Sequence, residues 1–283
     1  MVKIITDTTA CLPQEIVDRY QIPVIPQVIN FGNESFKEGI DMDHQAFMQR
    51  LKSSSELPKT AAPAPEWFVE VFKRLVPLDE TILCIHPSAE ISGTIRSVFV
   101  AKQDFPGADI RIIDTRTVAS PLGTMVTLAA KWASAGVDAN TIEARLQDMS
   151  KRARIYFIVE TLEYLARGGR IGGAAALVGS VFQIKPILTL RDGKVDQFQR
   201  ERTHKRAITH IKQLVMDQFP GEGEDFGYLS ILHAEVPGEA NVLASDFEAQ
   251  FGVKNVPIFD MPPAIITHGG PGILGVAFFV KLG

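Results

Sequence analysis

Cysteine is scarce in this chain of 283 residues, which contains only Cys11 and Cys84. The two do not form a Cys-x-x-Cys pair, so the sequence provides neither a disulfide framework nor the usual spacing of a structural zinc site. Long apolar runs are also missing, because no segment approaches the roughly 18 residues that a membrane-spanning helix requires. No secretory leader is evident at the start of the sequence. We therefore expect a cytoplasmic protein.

An excess of positive charge is likewise absent. The chain has 29 lysine and arginine residues against 33 aspartate and glutamate residues, which gives a formal net charge of -4 at pH 7. Nucleic-acid binding requires a clustered basic surface that neutralises phosphates, and such clusters usually raise the pI of a domain. We therefore expect no nucleic-acid partner.

Several catalytic motifs are missing as well. The sequence has no GxxxxGK[ST] P-loop and no GxSxG nucleophile elbow, and its six histidines show no HExxH spacing. Gly270–Gly275 matches GxGxxG, but only eight residues follow it, too few for the helix and strand of a dinucleotide fold. We therefore predict no metal, no cofactor and no self-sufficient active site, and hence a protein that is not an enzyme.

Short apolar segments alternate with helical patterns along the whole chain, and 46% of the residues are hydrophobic. This alternation is typical of α/β folds. We predict an α/β protein with two α/β domains, 1–153 and 154–283, each with a central sheet flanked by helices. The predicted strands of the first domain are Val2 to Ile5, Val24 to Asn30, Thr81 to His86 and Ile110 to Ile113.

The second domain is predicted to begin with a buried strand, Ile155 to Val159, followed by a helix that ends at Gly168 and Gly169. A helix of small residues, Gly172 to Phe182, should follow and lead to the strand Pro186 to Leu190. Two interpretations of its glycines and alanines stay open, since they could leave room for a methylene chain or allow close helix packing. Further strands are predicted at Tyr228 to His233, Val256 to Phe259 and Gly275 to Val280.

Ser92, Gly93 and Thr94 stand where a predicted strand gives way to a helix. Hydroxyls and free backbone N–H groups at the positive end of a helix dipole favour anion binding. Ordinary capping of the helix by Ser92 or Thr94 is the alternative interpretation.

The ordered motifs of the chain resemble those of the DegV family of bacterial fatty-acid-binding proteins. The motifs are Thr6-Asp7-Thr8-Thr9 with Leu12-Pro13, the loop at Thr60, Ser92-Gly93-Thr94, Ile113-Asp114-Thr115, Leu162-Glu163-Tyr164-Leu165, Gly168-Gly169-Arg170-Ile171, Lys185-Pro186-Ile187-Leu188, Arg202 and His268-Gly269-Gly270-Pro271-Gly272. The resemblance implies a carrier that holds a long-chain fatty acid between and within its two domains. It also implies that a separate ATP-binding fatty acid kinase subunit phosphorylates the carboxylate to an acyl phosphate for phospholipid synthesis, with peripheral membrane contact for acyl exchange.

By the same resemblance, the fatty-acid-binding residues are Thr60, Ser92, Gly93, Thr94, His268 and Gly269. Arg170 and Arg202 are expected at the rim of the site or in the kinase encounter. Members of the family usually continue the Thr60 loop with serine and glutamine, whereas this chain has Ala61 and Ala62.

Two other functions remain alternatives from the sequence alone. One is a stand-alone phosphotransferase or hydrolase that uses the Ser92 corner and His268. The other is a regulatory module that binds a different anionic ligand.

Overall fold

The structure is a computed structural model that describes residues 2–78, 80–178, 184–223 and 226–281. The chain divides into two compact units. The first unit comprises Met1–Lys151 together with Pro262–Ala264, and the second comprises Arg152–Met261 and Ile265–Gly283. The predicted assignment of 1–153 and 154–283 as separate domains stays a prediction.

A parallel sheet of four strands lies at the centre of the first unit. Its strands are β1 (Val2–Asp7), β2 (Val24–Ile25), β6 (Thr81–His86) and β7 (Ile110–Asp114), in the order β2-β1-β6-β7. All pairs in this sheet are parallel, so the carboxyl ends of the strands share one edge. In such sheets the segments that leave this edge usually build the binding site.

A smaller antiparallel sheet accompanies it, with the strand order β4-β3-β5. Its strands are β3 (Val28–Phe31), β4 (Glu34–Lys37) and β5 (Lys59–Ala61). The prediction of one strand from Val24 to Asn30 was wrong, because β2 and β3 belong to different sheets. Pro26 lies between them, and a proline has no N–H to continue a ladder.

The described residues of the first unit also form α-helices, the last of which ends at the first residue of the second unit: α1 (Gln14–Tyr20), α2 (His44–Ser53), α3 (Pro65–Leu75), α4 (Thr94–Lys102), α5 (Ser120–Ser134) and α6 (Ala139–Arg152). Helix α2 begins as predicted, since Asp43 accepts a hydrogen bond from the Ala46 N–H at 2.8 Å. The apolar side chains of α3 and α4 form a buried core with one face of the sheet, including Phe68, Phe72 and Ile82. Helix α5 contacts β1 and β6.

The second unit is built on a six-stranded mixed sheet with the order β10-β9-β8-β13-β11-β12. Its strands are β8 (Ala153–Ile158), β9 (Lys185–Arg191), β10 (Lys194–Glu201), β11 (Gly227–His233), β12 (Ile258–Asp260) and β13 (Leu274–Phe279). Its helices are α7 (Glu163–Arg167), α8 (His204–Gln218), α9 (Pro237–Phe251) and α10 (Pro263–Gly269), the last beginning with residues that belong to the first unit. Helix α8 packs on β8, β9 and β10, and α9 on β11 and β12.

The structure corrects two further predictions in the second unit. The helix predicted from Gly172 to Phe182 is a 3-10 helix over Gly172–Leu177, and the remainder of that prediction lies partly outside the described residues. The strand predicted from Val256 to Phe259 is displaced to Ile258–Asp260. The mixed α/β class, with helices packed on the four-stranded and the six-stranded sheets, agrees with the prediction.

Candidate functional site

Ser92, Gly93 and Thr94 lie together at the start of α4, at the carboxyl edge of the parallel sheet. The Ser92 and Thr94 hydroxyl oxygens are 2.9 Å apart, and the Thr94 N–H donates to Ser92 Oγ at 3.2 Å. Gly93 is the N-cap residue and has no side chain, so the Ser92 hydroxyl takes up the first N–H of the helix from the position before it, and a capping role of Ser92 agrees with this contact. The arrangement provides two hydroxyls at the positive end of a helix.

The segment that carries Thr60 reaches the same corner. Thr60 lies in β5, where it pairs with Ile29 of β3. A Cβ atom at Gly93 would stand 3.2 Å from the Cβ of Ala62, so this segment passes close to the helix start. The structure therefore brings the Thr60 segment, Ser92, Gly93 and Thr94 to one corner of the first unit.

A series of buried and partly buried polar groups connects this corner to the β1 end of the sheet. Gln27 Nε2 donates to Thr94 Oγ1 at 2.9 Å, and the Gln27 N–H donates to Thr8 Oγ1 at 3.1 Å. The Thr8 hydroxyl donates in turn to Glu38. Glu38 Oε1 also accepts from the Ala264 N–H at 2.6 Å. These groups come from five separate segments, so no local motif in the sequence indicates the network.

Glu38 is an unusual carboxyl group, because its residue is only 3% exposed. Burial raises its pKa to about 7, since a charged carboxylate is disfavoured away from water. The hydrogen bonds from Thr8 and Ala264 lower the pKa, whereas the nearby charge of Asp7 raises it further. This group therefore changes its charge near neutral pH.

Asp7 and His86 form a second buried pair at this edge. The Asp7 Oδ2 and His86 Nδ1 atoms are 2.7 Å apart, and both side chains are fully buried. Asp7 Oδ1 also accepts from the Thr9 N–H and hydroxyl. The pair fixes the end of β1 to the end of β6, so it holds together the two strands from which the corner departs.

In the second unit, His268 and Gly269 end helix α10. The His268 imidazole packs so closely on Gly168 that a Cβ atom there would collide with Nδ1. Burial, and secondarily the positive charge of Arg170, lowers the pKa of His268 to about 4. The imidazole is therefore neutral at pH 7.

The two arginines expected at the rim of the site, Arg170 and Arg202, occupy different settings. Arg170 is half-buried and donates from Nη1 to the Gly168 carbonyl at 2.7 Å. Arg202 is exposed in the turn between β10 and α8. The structure thus brings Arg170 to His268 and leaves Arg202 on the surface.

Two glycines after Arg170 allow close packing. Cβ atoms at Gly172 and Gly173 would collide with the backbone of Val195 and the side chain of Asp196 in β10. For these two glycines the packing interpretation is therefore correct.

The chemistry of the corner limits what it can do alone. Ser92 Oγ contacts the Thr94 hydroxyl and N–H, and no basic side chain contacts it within the described ranges. An activated serine requires an adjacent general base. Among the described residues, no group of three or more His, Cys, Asp or Glu side chains could hold a metal ion. No helix in the same part of the chain is both long and apolar enough to cross a membrane.

The sequence reasoning missed Gln27 and Glu38 and did not predict β5 or α10. A glutamine or a glutamate in a short strand region carries no signal of burial by itself. Their partners Thr94 and Ala264 are distant along the chain. The one available signal was the break at Pro26, which separates Gln27 from β2.

Fold and corner together define a class: a two-unit α/β protein whose first unit presents hydroxyls and a helix start suited to an anion. Comparison with known proteins gives the family. The family model described as uncharacterised protein, DegV family, matches residues 1–281. A DegV domain-containing protein of Clostridium acetobutylicum is 33% identical over 284 residues, covering 99% of this chain and 98% of that protein. The chain therefore belongs to the DegV family.

Solved structures of DegV proteins superpose on nearly the full length of this chain. A fatty-acid-binding DegV family protein from Thermus thermophilus superposes with a TM-score of 0.91 and 28% identity, covering 99% of both chains. DegV of Bacillus subtilis, a fatty acid binding protein, gives a TM-score of 0.87 and 30% identity, again with 99% of both chains covered. The fold of this chain is thus that of DegV proteins that bind fatty acids.

Proposed function

We propose that this chain binds a long-chain fatty acid and presents the carboxylate to a separate ATP-binding kinase subunit, which forms the acyl phosphate. The observation that carries this proposal is the hydroxyl corner of Ser92 and Thr94, found in a fold that fatty-acid-binding DegV proteins share over 99% of their length. The chain itself acts as a cytoplasmic carrier and not as the catalyst, and it exchanges its acyl ligand at the membrane surface by peripheral contact.

The carboxylate is bound at the corner formed by Thr60, Ser92, Gly93 and Thr94, where the buried Thr94 acts through its contact with Ser92. A carboxylate that leaves water requires hydrogen bonds that replace its hydration, and hydroxyl and backbone N–H donors supply charge-assisted bonds of this kind. The positive end of α4 adds to this attraction. Binding by neutral donors leaves the carboxylate negatively charged and therefore nucleophilic toward a phosphoryl group.

His268 and Gly269 also contact the ligand in this proposal. With a pKa of about 4, His268 is neutral at physiological pH and acts there as a hydrogen-bonding group without a charge. Arg170 stands beside it and supplies the positive charge of that region. Arg202, which is exposed, serves the encounter with the kinase subunit.

The acyl tail supplies most of the affinity. Burying about 15 methylenes at about 0.8 kcal/mol each contributes on the order of 12 kcal/mol. Association costs roughly 4 to 15 kcal/mol in lost freedom, so the surplus depends on tail length. Affinity should therefore increase steeply along a series of saturated acids.

Two measurements on the purified protein test lipid binding. Mass spectrometry of the denatured protein should detect a copurified fatty acid, and calorimetric titration of delipidated protein should show tighter binding of palmitate than of decanoate. Ser92→Ala should weaken palmitate binding by about 1 to 3 kcal/mol, the contribution of one hydrogen bond to a charged group. Ser97→Ala, on the same helix, is the matched control and should bind normally. A protein that neither copurifies with nor binds a fatty acid contradicts the proposal.

The proposed encounter with the kinase subunit is tested separately with Arg202→Ala. This variant should bind palmitate as the wild type does and should slow acyl phosphate formation when an ATP-binding kinase subunit is added. Arg200→Ala, which replaces a neighbouring exposed arginine, is the control. Loss of palmitate binding by Arg202→Ala would show that the residue belongs to the lipid site instead.

A further inference from the structure

Gln27 is a buried glutamine immediately before β3, with only 4% of its surface exposed. Its backbone is held at both ends: the N–H donates to Thr8 Oγ1 at 3.1 Å, and the carbonyl accepts from the Glu38 N–H at 2.9 Å. Thr8 and Glu38 are themselves hydrogen-bonded through the Thr8 hydroxyl. The side-chain amide therefore reaches Thr94 from a backbone that is fixed on both sides.

The direction of the hydrogen bonds at Thr94 follows from this contact. Gln27 Nε2 donates to Thr94 Oγ1 at 2.9 Å, so one lone pair of that oxygen is occupied. Thr94 is fully buried, and a buried hydroxyl proton requires an acceptor. In the described part of the chain, Ser92 Oγ is the acceptor within reach, at 2.9 Å. Thr94 therefore donates its proton to Ser92.

Ser92 then has its lone pairs occupied and its own proton available. Its oxygen accepts from the Thr94 hydroxyl and from the Thr94 N–H at 3.2 Å. A hydroxyl provides one donor and two acceptor lone pairs, so the remaining capacity of Ser92 is its O–H donor. Ser92 is half-buried, and this donor is the group that a carboxylate needs.

We propose that Gln27 is a positioning residue that acts through Thr94 and sets the Ser92 hydroxyl as a donor, which gives the corner its preference for carboxylates. The inference rests on the proposed function of this corner. A side chain at position 27 that only accepts hydrogen bonds would reverse the direction of both bonds. Thr94 would then donate to position 27, and Ser92 would donate to Thr94. The Ser92 oxygen would then face the ligand carboxylate with a lone pair.

Gln27→Glu tests this polarity, because a carboxylate has nearly the same shape as the amide but only accepts hydrogen bonds. At pH 8.5, where the new carboxyl is ionised, we expect dodecanoate binding to weaken about tenfold or more, the effect of losing one charge-assisted donor. Gln27→Met, which neither donates nor repels, should weaken binding by less than about threefold, because the Thr94 hydroxyl can still turn either way. Dodecanol, whose hydroxyl can donate or accept, should bind both variants almost as it binds the wild type.

A double-mutant cycle separates positioning from charge repulsion. In the Ser92→Ala background the Gln27→Glu effect on dodecanoate should shrink to less than about threefold, since the two residues act through one group. Thr94→Val should abolish the effect in the same way, whereas Thr94→Ser, which keeps the hydroxyl, should preserve it. Thermal melting of each variant establishes that it is folded.

The outcomes distinguish this inference from the proposed function. If the wild type binds neither dodecanoate nor a longer acid, the proposed function fails. If the wild type binds dodecanoate and Gln27→Glu binds it equally well, the positioning role is wrong and the carrier function stands. The positioning role would also be wrong if Gln27→Glu lowered the dodecanoate affinity as much in the Ser92→Ala background as in the wild type, which is the result expected of charge repulsion. An equal loss of dodecanol affinity would contradict it too, since a purely structural effect would weaken both ligands.

Discussion

Replacing Glu38 by glutamine is expected to change how the stability of the first unit depends on pH. Glu38 is 3% exposed, and burial raises its pKa to about 7, against about 4.3 for an unfolded glutamate. Between these two pH values the folded protein keeps a proton that the unfolded chain has released. The free energy of unfolding therefore falls as the pH rises, and the contribution of the protonated group is complete only below the unfolded pKa.

The size of the effect follows from the separation of the two pKa values. Each pH unit between the two pKa values changes the unfolding free energy by about 1.36 kcal/mol. The change levels off above the folded pKa of about 7, so it amounts to about 2 to 3 kcal/mol between pH 5 and pH 8. The glutamine of the variant cannot titrate, and its amide oxygen can still accept from the Ala264 N–H. The Glu38→Gln variant should therefore gain about 2 to 3 kcal/mol relative to the wild type across this range.

Urea denaturation at pH 5, 6, 7 and 8 measures this difference. Both tryptophans of the chain, Trp67 and Trp132, lie in the first unit, so tryptophan fluorescence reports its unfolding. Glu56→Gln, which removes an exposed carboxylate, is the control and should leave the pH dependence unchanged. A Glu38→Gln difference that stays constant within about 0.5 kcal/mol from pH 5 to pH 8 would refute the reasoning.

Two glycine substitutions test close packing, one in each unit. Gly123→Ala should destabilise the first unit by about 1 to 3 kcal/mol in thermal melts, because the new Cβ would collide with the Ala10 carbonyl, whereas Gly107→Ala meets no atom and should be nearly neutral. Gly168→Ala should displace the His268 imidazole from its buried position. The His268 pKa, measured by NMR, should then rise from about 4 toward its usual value, and an unchanged pKa would contradict this packing.

Local signals predicted many of the individual elements. Asp43 marked the start of α2, Pro65 stood at the first turn of α3, and the apolar run Thr81 to His86 formed β6 as expected. Short elements were harder to predict, because β5 has three residues and α10 has seven. Elements of this length contain too few residues to establish a period, and contacts with distant segments decide their conformation.

The residues of the candidate site also divide into those that a local sequence pattern predicts and those that it does not. The Ser92-Gly93-Thr94 motif was visible because hydroxyls at a strand-to-helix corner are a local pattern. Gln27 was not visible, since its partner Thr94 lies 67 positions away along the chain. The same holds for Glu38 and Ala264, which are 226 positions apart.

The sequence by itself determined the α/β class, most of the strands and helices, and the residues that resemble the DegV motifs, because each of these depends on neighbouring side chains. Only the tertiary structure decided which polar groups are buried and which donor faces which acceptor. The physical reason is that a side chain loses water, shifts its pKa or fixes the direction of a hydrogen bond only when distant segments enclose it.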